Sequence, residues 1–133
     1  MSNQVRSFRC PQAMSDELIS FTQKWLETQK FICQRLKAEN GGTLLQIKKA
    51  GNWRKFVGMS TALKIVFHQV ENTVDVEIGA GSWIDKAAAG TVSLIILWPL
   101  AFTAGFGAWQ QLKMPEKIFS YVALFSSEKV KID

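Results

Sequence analysis

The side chains most suited to chemistry are few: one histidine, His68, two cysteines, Cys10 and Cys33, and an alternating acid pair, Asp75 and Glu77. A structural or catalytic metal needs three or four Cys, His or carboxylate ligands at short, regular spacing, and these residues do not supply it. The cysteines form no CxxC redox motif and no disulfide framework. A thiol paired with His68 would make a nucleophile and base, but no signature of such a pair surrounds either cysteine. Asp75 and Glu77 fall on one face of a strand opposite lysine-rich strands, where cross-strand ion pairing explains them. The sequence therefore predicts no catalytic residue, no metal and no cofactor: the chain reads as a non-enzyme.

Two binding patterns remain. Gly79-Ala80-Gly81-Ser82 follows a strand and precedes a helical start, with Asp85 three residues after Ser82 in a capping box. Free amides at such a turn hold anions, so Gly79, Gly81 and Ser82 form a candidate anion nest. The pattern falls short of the dinucleotide and P-loop fingerprints. The second pattern is basic: Lys48, Lys49, Arg54 and Lys55 lie within eight residues, with Trp53 between the two pairs and Phe56 beside them. Cations interleaved with aromatics suit an anionic surface such as lipid headgroups. Single-stranded nucleic acid is the competing partner, through stacking and phosphate contacts. No nucleic-acid-binding motif accompanies the block, so nucleic acid is the less favoured of the two.

The charge is unevenly placed. The net charge is +5 over 133 residues. Residues 30–64 hold Lys30, Arg35, Lys37, Lys48, Lys49, Arg54, Lys55 and Lys64 against Glu39 alone, so one short stretch carries the whole excess. Hydrophobic residues make up 47% of the chain, too many for a disordered protein. The opposite extreme runs from Ala87 to Trp109 without a charged side chain. As a helix it would be about 35 Å long, enough for a hydrocarbon core of about 30 Å. Leu94, Ile95, Ile96, Leu97, Leu100, Phe102 and Phe106 favour insertion, while Trp98 and Trp109 suit an interface. Pro99 removes a helical hydrogen bond near the middle and divides the run, which points to a helical hairpin more than to one kinked span. The small residues near Gly105 would serve close helix contact in lipid or in a soluble core alike. The first residues, MSNQVRSFRCPQ, lack the apolar stretch of a secretory signal, and a reducing compartment is expected.

These segments need elements to place them. Residues 1–14 read as an irregular arm. Ser15 is a suitable N-cap, Asp16 and Glu17 oppose the helix dipole, and Leu18, Phe21, Trp25 and Leu26 recur at helical spacing over 16–29. Strand-like runs follow at 31–38, 43–50, 61–70 and 73–78, forming two hairpins across 39–42 and Glu71-Asn72. Residues 51–59 are a connection or a short extra strand. Ile118, Phe119, Val122 and Phe125 give a C-terminal helix within 110–127, and 128–133 is a tail.

The expected fold is a single α+β domain. A four-stranded antiparallel sheet is covered on one face by the N- and C-terminal helices, with an apolar helical hairpin (87–109) inserted after the 15–86 unit. The expected function is a membrane-associated accessory or scaffold subunit, its folded part on the cytoplasmic or equivalent side. Its partners would be membrane lipids or a membrane protein complex. The alternatives are a soluble module binding a lipid or other apolar ligand, and a homo-oligomeric pore-former.

Overall fold

The computed structural model describes residues 4–38, 42–49, 62–81, 83, 91–92 and 113–128. Its elements are β1 (Gln4–Arg9), a 3₁₀ turn (Gln12–Met14), α1 (Ser15–Thr28), β2 (Phe31–Ala38) and β3 (Thr43–Lys49). They are followed by β4 (Ala62–Val70), β5 (Thr73–Gly81), β6 (Thr91–Val92) and α2 (Met114–Glu128). The strands form one sheet in the order β1-β5-β4-β3-β2-β6. Its first five members are antiparallel neighbours. β6 runs parallel to the end of β2, with Lys37 opposite Thr91 and Ala38 opposite Val92.

This corrects the expected four-stranded sheet with a helical hairpin. The first correction is β1, in a segment expected to be irregular. Its sequence, QVRSFR, gives neither face an apolar series, so period-two reasoning passes over it. The strand is held by its ladder to β5, in register from Gln4 opposite Ile78 to Arg9 opposite Thr73. The second correction is β6, which takes Thr91 and Val92 out of the expected hairpin. Two adjacent β-branched residues favour extended backbone, and the edge of β2 offers them hydrogen-bonding groups. Among the described residues there are two helices, α1 and α2, and neither belongs to a hairpin of the apolar run. Residues 93–112, like 50–61, lie outside the described residues.

Both helices pack on one face of the sheet. Leu18, Ile19 and Leu26 of α1 and Ile118, Phe119, Val122 and Phe125 of α2 join Leu45, Ile47, Leu63, Ile65, Phe67, Val74, Val76 and Ile78 in one core. Thr22 is buried among them and donates its hydroxyl to the Leu18 carbonyl at 3.0 Å, so its polar atom has a partner within the helix. Ser15 is the first helical residue rather than the cap; Met14 precedes the helix without a side-chain cap bond. At the other end, the Gln29 amide donates to the Trp25 and Leu26 carbonyls and that of Lys30 to Glu27. Lys30 carries the left-handed φ of 71° that turns the chain into β2.

The sheet's other face is buried at its centre. Leu36, Leu44, Gln46, Ala62, Lys64 and Val66 are all below 9% exposed, although neither helix lies on their side. β4 is accordingly buried at six consecutive positions instead of alternating. A strand buried on both faces loses its period-two signature, and Lys64 is hidden within that pattern.

Candidate functional site

Of the expected basic surface, Lys48 and Lys49 lie among the described residues. Because β2 and β3 alternate their side chains, Arg35 faces α1, where one guanidinium nitrogen donates to Asp16 at 2.6 Å and another to the Ser20 hydroxyl at 3.3 Å. Lys48 lies on the opposite face, its ammonium 4.4 Å from the centre of the Trp83 ring, a cation–π contact. Lys64 is 2% exposed and donates to Gln46 Oε1 at 2.8 Å. Loss of hydration lowers its pKa from 10.5 to about 8. Three of the eight cations are thus committed to α1, to an indole ring or to the interior. Lys49 ends β3 beside Lys48. Trp53, Arg54 and Lys55 lie outside the described residues, as do Leu94, Ile95, Ile96, Leu97, Trp98, Pro99, Leu100, Phe102, Phe106 and Trp109.

Gly79 and Gly81 belong to β5, opposite Lys64 and Ala62 of β4, so the ladder continues through the segment expected to form a turn. Ser82 lies outside the described residues. The glycine opposite Lys64 leaves no side chain beside the lysine in that cross-strand position.

The titratable residues fall into rows set by the ladder. Ser7, Asp75 and His68 stand opposite one another on β1, β5 and β4. The Ser7 hydroxyl donates to Asp75 Oδ1 at 2.5 Å. In acyl-transfer triads the imidazole sits between hydroxyl and carboxylate so that it can take the nucleophile's proton. Here the carboxylate occupies the middle place, and Ser7 is bonded directly to it. Neither thiol is poised for attack. Burial raises the Cys10 pKa, and the nearby Glu17 carboxylate adds to the effect. Burial pushes Cys33 up to about 12, with a smaller contribution from Glu27. Thiols held neutral are poor nucleophiles and metal ligands. Among the described residues no three His, Cys, Asp or Glu side chains are grouped to hold a metal ion.

A concavity lies elsewhere, on the helical layer. α1 and α2 run antiparallel, as the ring contacts show: Phe21 packs on Phe125 at 5.1 Å, while Trp25 and Phe21 both stack on Tyr121 at 4.5 Å. The C-terminal end of α1 therefore lies beside the N-terminal part of α2. There a groove of about 510 Å³ is lined by Trp25, Lys113, Glu116, Lys117, Ser120, Tyr121 and Leu124. The α2 residues recur every three or four positions, so they form one stripe along the helix. Trp25 and Tyr121 are half-buried and form an aromatic floor, while Lys113, Lys117 and Leu124 are exposed at its rim. Lys113 holds a left-handed φ of 58° and accepts the Lys117 amide at 3.0 Å, which fixes the backbone from which both lysines project. The sequence reading missed this groove. Its only signal was that Trp25 and Tyr121 fall beside the buried stripe of their helices, which marks partial burial but not a cleft.

The two ends of the apolar run are also located. Val92 is held beside β2, and Met114 begins a helix packed on the same sheet. Residues 93–112, between them, lie outside the described residues. No helix among the described residues is long and apolar enough to cross a membrane. Comparison with protein-family models, with curated proteins and with solved structures finds no match for this chain.

Proposed function

We propose that the protein is a non-enzymatic, membrane-associated accessory or scaffold subunit, held by the apolar segment that begins after β6 and returns before α2. The observation that carries this reading is the absence of any charged side chain from Ala87 to Trp109, in a chain where 20% of residues are charged. With Thr91 and Val92 held in the sheet, the segment left for a bilayer or a membrane protein runs from Ser93 to Trp109. A stretch that short is at the lower limit for a full crossing, which suits shallow insertion with both ends on one side. Cations flanking the insertion support the cytoplasmic or equivalent side for the folded body.

The test is fractionation of cells expressing the full chain, with an alkaline carbonate wash of the membranes. Full-length protein is expected in the washed pellet. A variant lacking residues 93–109, which keeps β6, is expected in the supernatant with its circular dichroism preserved. Full-length protein released by the wash would overturn the reading.

One observation favours a second reading, a soluble module with an apolar ligand. The sheet face remote from both helices is buried at its centre, with Leu44, Gln46 and Lys64 at 2% exposure or less. That reading expects a monodisperse protein without detergent, carrying an apolar ligand that organic solvent extracts.

A further inference from the structure

The membrane reading leaves open which surface of the folded body meets the bilayer. We propose that it is the groove between α1 and α2, with a lipid phosphate between Lys113 and Lys117 and with Trp25, Tyr121 and Leu124 against the acyl boundary. The proposal rests on the membrane reading and names the contact surface within it.

Four observations converge on this surface. The groove joins the two side-chain types that settle at a bilayer interface: aromatic rings with one polar edge, and lysines whose stems reach past apolar surface. Trp25 and Tyr121 stack at 4.5 Å, giving a rigid floor, and Leu124 beside them is 41% exposed. Next, a positive excess stands at this end of the helical layer: Lys113 and Lys117 outnumber Glu116 within the groove, and Lys30 is exposed at the turn after α1 beside Glu27. Position along the chain points the same way. Lys113 follows the last residue of the apolar run, Trp109, by four positions. Four residues reach at most about 14 Å, so this rim stays close to wherever the run enters. Finally, one cation of the competing basic surface, Lys48, is engaged with the Trp83 ring.

The experiment is co-sedimentation of the purified full chain with phosphatidylcholine vesicles, with and without about one-third phosphatidylglycerol. The expected result is binding that depends on phosphatidylglycerol and falls with salt. A cation near such a surface contributes about a factor of five, so Lys113→Gln with Lys117→Gln should weaken binding about thirtyfold. Lys48→Gln should leave binding unchanged, and Leu124→Ser, which alters an exposed side chain, should weaken it with the fold intact. Unchanged affinity in the double variant, with binding still lost on deletion of 93–109, would overturn the groove while leaving the membrane reading standing. No binding by the unaltered chain to either vesicle would overturn the groove as a lipid-binding surface and, with it, direct anchoring in lipid. Release from vesicles by millimolar inorganic phosphate would mark a soluble-anion site and overturn the bilayer assignment.

Discussion

Lys64 provides a sharp test of the energetic argument, because its neutralisation should stabilise the protein. The side chain is 2% exposed, its one hydrogen bond among the described residues goes to a neutral amide, and its pKa is lowered to about 8. Relative to its ordinary value of 10.5, keeping the ammonium charged in the folded state costs about 3 kcal/mol at neutral pH. Lys64→Met removes that cost and keeps the length of the stem. It also removes the hydrogen bond to Gln46, which contributes about 1 kcal/mol. The variant should therefore be about 2 kcal/mol more stable at pH 7.

The pH dependence supplies the check. Between pH 8 and 10.5 the unfolded chain binds more protons at Lys64 than the folded one, so this residue makes wild-type stability rise with pH in that window. The advantage of Lys64→Met should shrink across the window and vanish near its upper end. Cys33, at about 12 in the folded state against 9.0 normally, acts with the opposite sign above pH 9, but equally in both proteins. The difference between the two urea midpoints, followed by tryptophan fluorescence from pH 7 to 10.5, isolates the lysine. At about 2 kcal/mol per molar urea, the expected gap at pH 7 is about 1 M. A variant less stable than wild type at pH 7, with a gap that does not change with pH, would show that the ammonium has an anionic partner and would refute the reasoning.

Two smaller predictions rest on local geometry. Lys30→Gly should raise stability by about 1 kcal/mol, because φ of 71° strains any residue with a Cβ; thermal unfolding should show a rise of a few degrees, and a fall would contradict the turn geometry. Asp16→Asn should cost less than about 1 kcal/mol, since the carboxylate bonded to Arg35 is 82% exposed, and the loss should shrink further in molar salt.

Elements with one buried stripe were legible in the sequence. α1 begins one residue before its expected start, and α2 contains the expected Ile118, Phe119, Val122 and Phe125. The β4–β5 hairpin turns at Glu71-Asn72 as expected, with a left-handed φ of 53° at Glu71. What was not legible depends on partners far along the chain. β1 has no periodic pattern and exists because β5 pairs with it. The burial of Lys64 is not readable from its type, since a lysine on an alternating strand reads as solvated. That Arg35 and Lys48 lie on opposite faces follows from strand alternation, which sends neighbouring residues to opposite sides. The groove is made by two helices that meet across the sheet, and no local spacing encodes their meeting. The β5 segment from Gly79 to Gly81 was read as a turn because glycine usually breaks strands, whereas here it lies opposite Lys64 and Ala62.

The pairing of β1 with β5 also sets a timetable for synthesis. Gln4 has as its neighbour Ile78, a residue made far later in synthesis. At 5–20 residues per second the ribosome needs roughly 4–15 s to deliver that partner. During the wait the nascent chain carries an unpaired strand and an amphipathic α1 whose covering sheet is incomplete. Hairpins β2–β3 and β4–β5 close locally, so the opening strand should be the last of the five antiparallel strands to lock into place. Folding of β1 is then gated by translation of β5, and a message truncated before the codon of Thr73 would yield a product with an exposed α1 face, a natural substrate for chaperones and proteases.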